Sequence, residues 1–194
     1  MTQQEFFEQV LVALERLDVP YMVTGSIGAM LYGEPRMTND MDVVIDPKPF
    51  HAALLARLFA SEDHYIPPVE VIVDEIQRRG QFNILHVGTG SKVDLIIRKQ
   101  TDFAETEFAR RQSVPFSADL DSASATPEDI IISKLTYYQM SPSSKHIDDI
   151  RGILAVSGND LDHNYLREWV QRLGLTNAWQ RVQSGPDSGA TPLG

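Results

Sequence analysis

Residues 21–45, YMVTGSIGAMLYGEPRMTNDMDVVI, decide how the rest of the chain is read. Tyr21–Thr24 reads as a short strand ending in the Gly25-Ser26 turn, and a helix starts at Ser26. After a loop, a second strand carries Asp40 and Asp42 at spacing i, i+2. Side chains two apart on a strand point to the same face, with Cα atoms about 6.5 Å apart. Met41, Val43 and Ile45 then bury on the opposite face. Two converging carboxylates repel by about 4 kcal/mol at 4 Å for an effective dielectric near 20, a cost that a divalent cation removes. The pattern is that of a cation site facing a phosphate site.

A third acid fits beside this pair. FNILHVGTGSKVDLIIR (82–98) is two apolar runs joined by Gly88-Thr89-Gly90-Ser91, a hairpin signal. In the second run Val93, Leu95 and Ile97 form one face, and Lys92, Asp94, Ile96 and Arg98 form the other. An acid inside a Val/Ile/Leu strand runs against β-propensity, so something must compensate for it. Placed beside Asp40 and Asp42, Asp94 completes an oxygen-ligand set suited to Mg²⁺, which takes few carboxylates and keeps positions for water and phosphate.

Gly25-Ser26, the Thr38-to-Asp42 segment and the Lys92-Val93-Asp94 strand together resemble the nucleotidyltransferase superfamily typified by DNA polymerase beta. Within it the chain looks most like the small bacterial AbiEii-type proteins, which show a similar Arg-x-Thr-x-Asp-x-Asp run, here Arg36 to Asp42. TPEDIIISKLTYYQ and SSKHIDDIRGIL are similar to the helical segment that follows the catalytic core in those proteins, so the resemblance covers roughly residues 5–183. It implies an α+β fold, a mixed-sheet nucleotidyltransferase core over 1–125 followed by a C-terminal helical subdomain over 126–183. Residues 184–194, rich in Gly, Pro and Ser, read as a disordered tail.

The implied activity is metal-dependent transfer of a nucleoside monophosphate from a nucleoside triphosphate to a hydroxyl. Two Mg²⁺ ions (or Mn²⁺), about 3.5–4 Å apart, would be held by Asp40 and Asp42, with Asp94 completing one site and serving as base or orienting ligand. Gly25 and Ser26 would hold the β- and γ-phosphates. Lys134, on the flank of a helix whose apolar side is Ile131, Leu135 and Tyr138, either suits a triphosphate oxygen or is an ordinary exposed lysine, and Lys92 and Arg98, on the face of Asp94, either neutralise the carboxylates or meet phosphate. Arg36 and Thr38 either orient the Asp loop and the triphosphate or belong to a surface loop. An RNA end, a protein hydroxyl and a small molecule all remain as acceptors, with an antitoxin protein as the partner of a toxin–antitoxin role. A nucleotide-binding or protein-interaction module without turnover is the rival from a different class. A Mg²⁺-dependent phosphoesterase is the third reading.

Composition narrows these alternatives. With no cysteine in 194 residues, disulfides, thiolate zinc sites and a catalytic Cys are excluded. A formal net charge of −10 disfavours general nucleic-acid binding, which depends on neutralising phosphates. Neither a secretory signal nor an apolar run of about 20 residues is present, so the expected setting is the cytoplasm, without a membrane. Other acid pairs carry no site: Asp119/Asp121 lie in a Ser/Ala-rich extended segment, and Asp160/Asp162 precede a helix as natural caps. Lys145-His146-Ile147-Asp148-Asp149 reads either as a second site wall or as a structural network in which Asp148 pairs with Arg151 at i+3.

The remaining elements follow from periodicity and caps. Residues 2–17 form an amphipathic helix opened by a Thr2/Glu5 capping box. Residues 50–60 and 69–80 read as helices, the second with a strand as its alternative because of its β-branched content. A helix near 101–112 and short extended pieces across 113–125 follow. Thr126-Pro127-Glu128-Asp129 is a helix start, with Thr as N-cap, Pro at N1 and acids in the first turn. Three further helices lie near 143–156, 162–173 and 175–182.

Overall fold

The computed structural model describes residues 1–184; the tail from 185 onward, read above as disordered, lies outside the described residues. Helix α1 (Gln3–Arg16) leads into β1 (Tyr21–Thr24), α2 (Gly25–Met30) and β2 (Asp40–Ile45). Then come α3 (His51–Leu58), β3 (His64–Tyr65), α4 (Val69–Arg78), β4 (Gln81–His86) and β5 (Ser91–Ile97). Helix α5 (Asp102–Arg110) precedes β6 (Gln112–Pro115) and β7 (Asp121–Ser124), and α6 (Pro127–Met140), α7 (Ser144–Ser157), α8 (His163–Arg172) and α9 (Thr176–Gln183) complete the chain. This is the expected α+β fold with C-terminal helices.

The strands form one mixed sheet in the order β3-β4-β5-β2-β1-β7-β6. β2 is antiparallel to β1 and parallel to β5, and β4 and β5 make the hairpin that the Gly88–Ser91 turn announced. The alternation of side chains sets up two cores. Met41, Val43 and Ile45 of β2 and Val93, Leu95 and Ile97 of β5 bury against α1, α3 and α4, with Phe6, Leu11 and Leu55. Met22 and Ala29 pack on the other side of the sheet with Ile130, Ile131, Leu135 and Ile150 of α6 and α7. Each fully buried Leu, Ile or Phe contributes about 1.5–3 kcal/mol, so the apolar face of β2 and β5 is fixed. A one-residue slip would turn the acids into that core.

Local chemistry explains the element ends. The Thr2/Glu5 capping box is present at α1, and Thr126 caps α6 with Pro127 in its first turn. Residues 69–78 are helical despite Val69, Val71, Ile72 and Val73, because Ile72 and Ile76 bury at spacing i, i+4. α4 stops at Arg78, two residues before the expected end, where Arg79 takes a left-handed conformation (φ 53°). Gly80 is required next, since the Glu75 carboxylate folds back across it to accept from the Gln81 amide at 2.9 Å. The dipeptide strand β3, which the periodicity does not reveal, pairs with β4 at the sheet edge.

Candidate active site

Strand register brings two of the three acids together. Asp42 on β2 lies directly opposite Asp94 on β5, and Asp40 lies opposite Lys92. Neighbouring strands run about 4.8 Å apart, so the Asp42 and Asp94 side chains start side by side on the face away from the α1 core. Burial pushes the Asp42 carboxyl up, and the negative charge of Asp94 adds to the push. The Lys92 ammonium sits 2.7 Å from Asp94 and 3.9 Å from Asp40, offsetting part of this repulsion. Among the described residues no three carboxylate or imidazole groups form a preassembled cation cluster. In this arrangement Lys92 supplies the positive charge between Asp40 and Asp94.

The Gly25-Ser26 corner follows immediately from β1, whose Thr24 is the register partner of Asp42. Gly25 has φ +65°, and a Cβ there would lie 2.0 Å from Asp42 Oδ2, so only glycine lets the carboxylate approach the turn. The helix begins at Gly25, one residue earlier than expected, with no side chain capping its first turn. The Ser26 hydroxyl is held by the Arg36 guanidinium and lies 3.5 Å from Asp149 Oδ2.

Asp149 is the hub of this second cluster. It accepts from Arg36 Nε at 2.6 Å and from Lys134 Nζ at 2.6 Å, which ties the Gly-Ser corner and the loop before β2 to α6 and α7. Lys134 is buried, not an exposed helix residue. Burial pulls its ammonium down against the Asp149 hydrogen bond. Burial pushes Asp149 the other way, but the hydrogen bonds from Arg36 and Lys134 outweigh it and hold the carboxyl below the usual range. The two directions are compatible because Asp149 has two cationic partners, whereas Lys134 has one close anion.

The expected Asp148–Arg151 pair does not form, and the network is built on Asp149 instead. Asp148 is exposed, and Arg151 donates to the carbonyls of Val182 and Arg181 instead. The signal was present in helical phase: Asp149 precedes buried Ile153 by four residues and Gly152 by three, so it faces inward. Thr38 turns back onto Asp40, its hydroxyl donating to the Asp40 carbonyl at 3.1 Å, and so orders the loop. Arg98, on the same strand face as Asp94, pairs with Asp46 at 2.9 Å.

Both clusters open onto a cleft of about 340 Å³ lined by Gly25, Ser26, Asp42, Asp94, Lys134 and Tyr137. Its far wall holds Glu107 of α5, a residue the sequence reading did not single out. Burial pushes that carboxyl up to about 8, the charge of Asp129 adds to the push, and a 3.1 Å hydrogen bond from Ser133 opposes it.

The fold has known counterparts. The solution structure of the antibiotic-resistance factor ANT(2'')-Ia matches over 93% of this chain and 96% of its own, with TM-score 0.59 and 17% identity. The fold is that of the nucleotidyltransferases. An antigenic nucleotidyltransferase-like protein from Paracoccidioides brasiliensis shares 20% identity at TM-score 0.54, covering 92% of each chain. The lincosamide antibiotic adenylyltransferase LnuA, with lincomycin bound, shares 12% identity at TM-score 0.55, covering 81% of this chain and 98% of its own. No protein-family model and no curated protein sequence matches the chain.

Proposed function

We propose that the protein is a nucleotidyltransferase that moves a nucleoside monophosphate from a nucleoside triphosphate to a hydroxyl of a small-molecule acceptor. The observation that carries this reading is the Asp42–Asp94 register pair beside the Gly25-Ser26 corner at the mouth of one cleft. The small-molecule acceptor is favoured by the cleft of about 340 Å³, by the −10 net charge and by proteins of the same fold, one of which was solved with adenylyl-2''-tobramycin.

The residues fit a divalent cation in donor chemistry. All three acids offer oxygen, Asp42 and Asp94 repel each other, and an ammonium already neutralises Asp94. Asp40, Asp42 and Asp94 would hold Mg²⁺ or Mn²⁺ once Lys92 swings away. The cation supplies charge neutralisation and a lowered hydroxyl pKa. The chain's own residues do the rest. The Gly25 and Ser26 backbone groups hold the β- and γ-phosphates, and Lys134, released in part from Asp149, meets a phosphate oxygen. Asp94 accepts the proton of the acceptor hydroxyl as its oxygen bonds to the α-phosphorus. The bond from that phosphorus to the bridging oxygen breaks, and pyrophosphate leaves.

Incubation with α-labelled nucleoside triphosphates, Mg²⁺ or Mn²⁺ and a panel of hydroxylated small molecules tests this. A labelled acceptor and released pyrophosphate are expected, both abolished by Asp94→Asn. The rival reading, a nucleotide-binding module without turnover, draws on Lys92 standing between Asp40 and Asp94. Tight nucleotide binding with no pyrophosphate from any acceptor, RNA and protein included, would establish it. The narrower AbiEii-type reading, a cytoplasmic toxin held by an antitoxin protein, rests on the Arg36-to-Asp42 run. Growth arrest on expression, relieved by a neighbouring gene product, is its test.

A further inference from the structure

Beyond the phosphate corner, the cleft carries an aromatic pair that the proposed chemistry leaves unused. Tyr137 lies on α6 one turn after Lys134, and His146 lies on α7 one turn before Asp149, so each sits on a helix that supplies half of the buried ion pair. Both side chains line the cleft with Ser26, Asp42 and Lys134. Their rings are nearly parallel, 19° apart, with centroids 6.2 Å apart. Tyr137 is 53% exposed, a large ring surface left open to the cleft. Among the described residues, neither the Tyr137 hydroxyl nor a His146 ring nitrogen has a hydrogen-bond partner.

Electrostatics keep this surface suited to an uncharged ring. Burial pulls His146 down, and the Lys134 ammonium pulls it further, so the imidazole is neutral at pH 7. Burial pushes the Tyr137 phenol up, with the charges of Asp42 and Glu107 adding to it. Tyr137 therefore stays a neutral phenol, close enough to Asp42 to feel its charge. A nucleotide whose phosphates occupy the Gly-Ser corner and Lys134 extends its base along the same cleft, whose wall carries this aromatic pair. Bases stack on aromatic side chains irrespective of hydrogen-bond pattern, and larger ring systems overlap more area.

We propose that Tyr137 and His146 form the platform on which the nucleobase of the triphosphate stacks, and that the nucleotide is a purine nucleotide. The proposal rests on the nucleotidyl-transfer reading of the same cleft. The unpartnered Tyr137 hydroxyl and His146 nitrogens would meet the base edge or the ribose.

Calorimetric titration with ATP, GTP, CTP, UTP and inorganic tripolyphosphate in Mg²⁺ tests the platform on the wild type, Tyr137→Ala, Tyr137→Phe and His146→Ala. The wild type should bind the purine nucleotides at least 10-fold more tightly than the pyrimidine ones. Tyr137→Ala should weaken ATP and GTP by about 10-fold, the usual size of one lost stacking contact, while leaving tripolyphosphate affinity unchanged. Tyr137→Phe should keep most of the purine affinity, and His146→Ala should lose part of it. Thermal melts should show each variant folded, since Tyr137 is half exposed. Unchanged ATP affinity in Tyr137→Ala, an equal loss for tripolyphosphate, or no purine preference would overturn the platform. Tripolyphosphate binding with no contribution from Tyr137 would sink the platform and leave the phosphate corner standing. Purine binding that depends on Tyr137 without tripolyphosphate binding would do the reverse.

Discussion

Lys134 on α6 and Asp149 on α7 form a buried ion pair, Nζ to Oδ2 2.6 Å, that shares its carboxylate with Arg36 from the loop before β2. A pair of this kind costs more to break than it contributes when made, because the surviving partner is left charged and buried. Asp149→Ala should therefore destabilise the fold by about 3–5 kcal/mol. Lys134→Met combined with Asp149→Leu should restore much of that stability but no activity. Urea denaturation of the single and double variants measures both.

Asp42 and Asp94 should behave oppositely. They repel each other across one register position, so Asp42→Asn removes a like-charge cost along with a buried ionisable group. Its melting temperature should equal or exceed that of the wild type, whereas a core truncation such as Leu95→Ala should cost about 2–5 kcal/mol. Mg²⁺ at 100 times its dissociation constant should stabilise the wild type by about 2.7 kcal/mol. Asp42→Asn and Asp94→Asn should both lose that increment, as read by thermal melts with and without the ion.

Gly25→Ala should damage both stability and transfer. The new methyl meets the Asp42 carboxylate in a left-handed backbone conformation that disfavours side chains. A loss of about 2 kcal/mol is expected. Nucleotide binding should fall with it, and an unchanged melt would show that the Gly25–Asp42 approach is not needed.

Glu107 should make stability fall with rising pH. Its carboxyl titrates near 4.5 when unfolded and at about 8 in the cleft. Below the lower value both states hold the proton. Between the two values the unfolded chain gives it up while the folded one keeps it, so stability declines until about pH 8 and then levels off. The span is on the order of 2–4 kcal/mol in this cleft, which opens to water. Glu107→Gln should flatten that part of the pH profile and be the more stable protein at pH 8.5, as read from denaturation curves between pH 5 and 9.

Tyr165 should matter for the helices without touching the cleft chemistry. Its hydroxyl donates to Asp129 at 2.5 Å, and Arg110 approaches both that carboxylate at 3.1 Å and the Tyr165 ring at 3.9 Å. Tyr165→Phe leaves a fully buried carboxylate one donor short and should cost about 1–3 kcal/mol. Nucleotide affinity, measured below the melting point, should not change.

What the sequence disclosed and what it withheld divide along a physical line. The Asp-bearing strands were legible because a two-residue period assigns each side chain to a face, and β2 and β5 pair as that alternation requires. The caps at Thr2 and Thr126 were legible because capping is local. Asp149 was harder, since adjacent acids on a helix differ only by 100° of phase and the inward one is known only once α7 docks on α6. Lys92 bridging Asp40 and Asp94 depends on register between strands half the core apart in sequence, which no local pattern encodes. Glu107 owes its raised carboxyl to burial and then to the charge of Asp129, both produced by packing alone.

Because Arg36 and Lys134 both depend on a carboxylate supplied by residue 149, a polypeptide leaving the ribosome presents the loop cation 113 residues before that anion and the α6 cation only 15 residues before it. The sheet and the Gly25-Ser26 corner can assemble early, but the corner stays unbraced until α7 emerges. The brace across Gly25-Ser26 is thus completed only when α7 docks against α6.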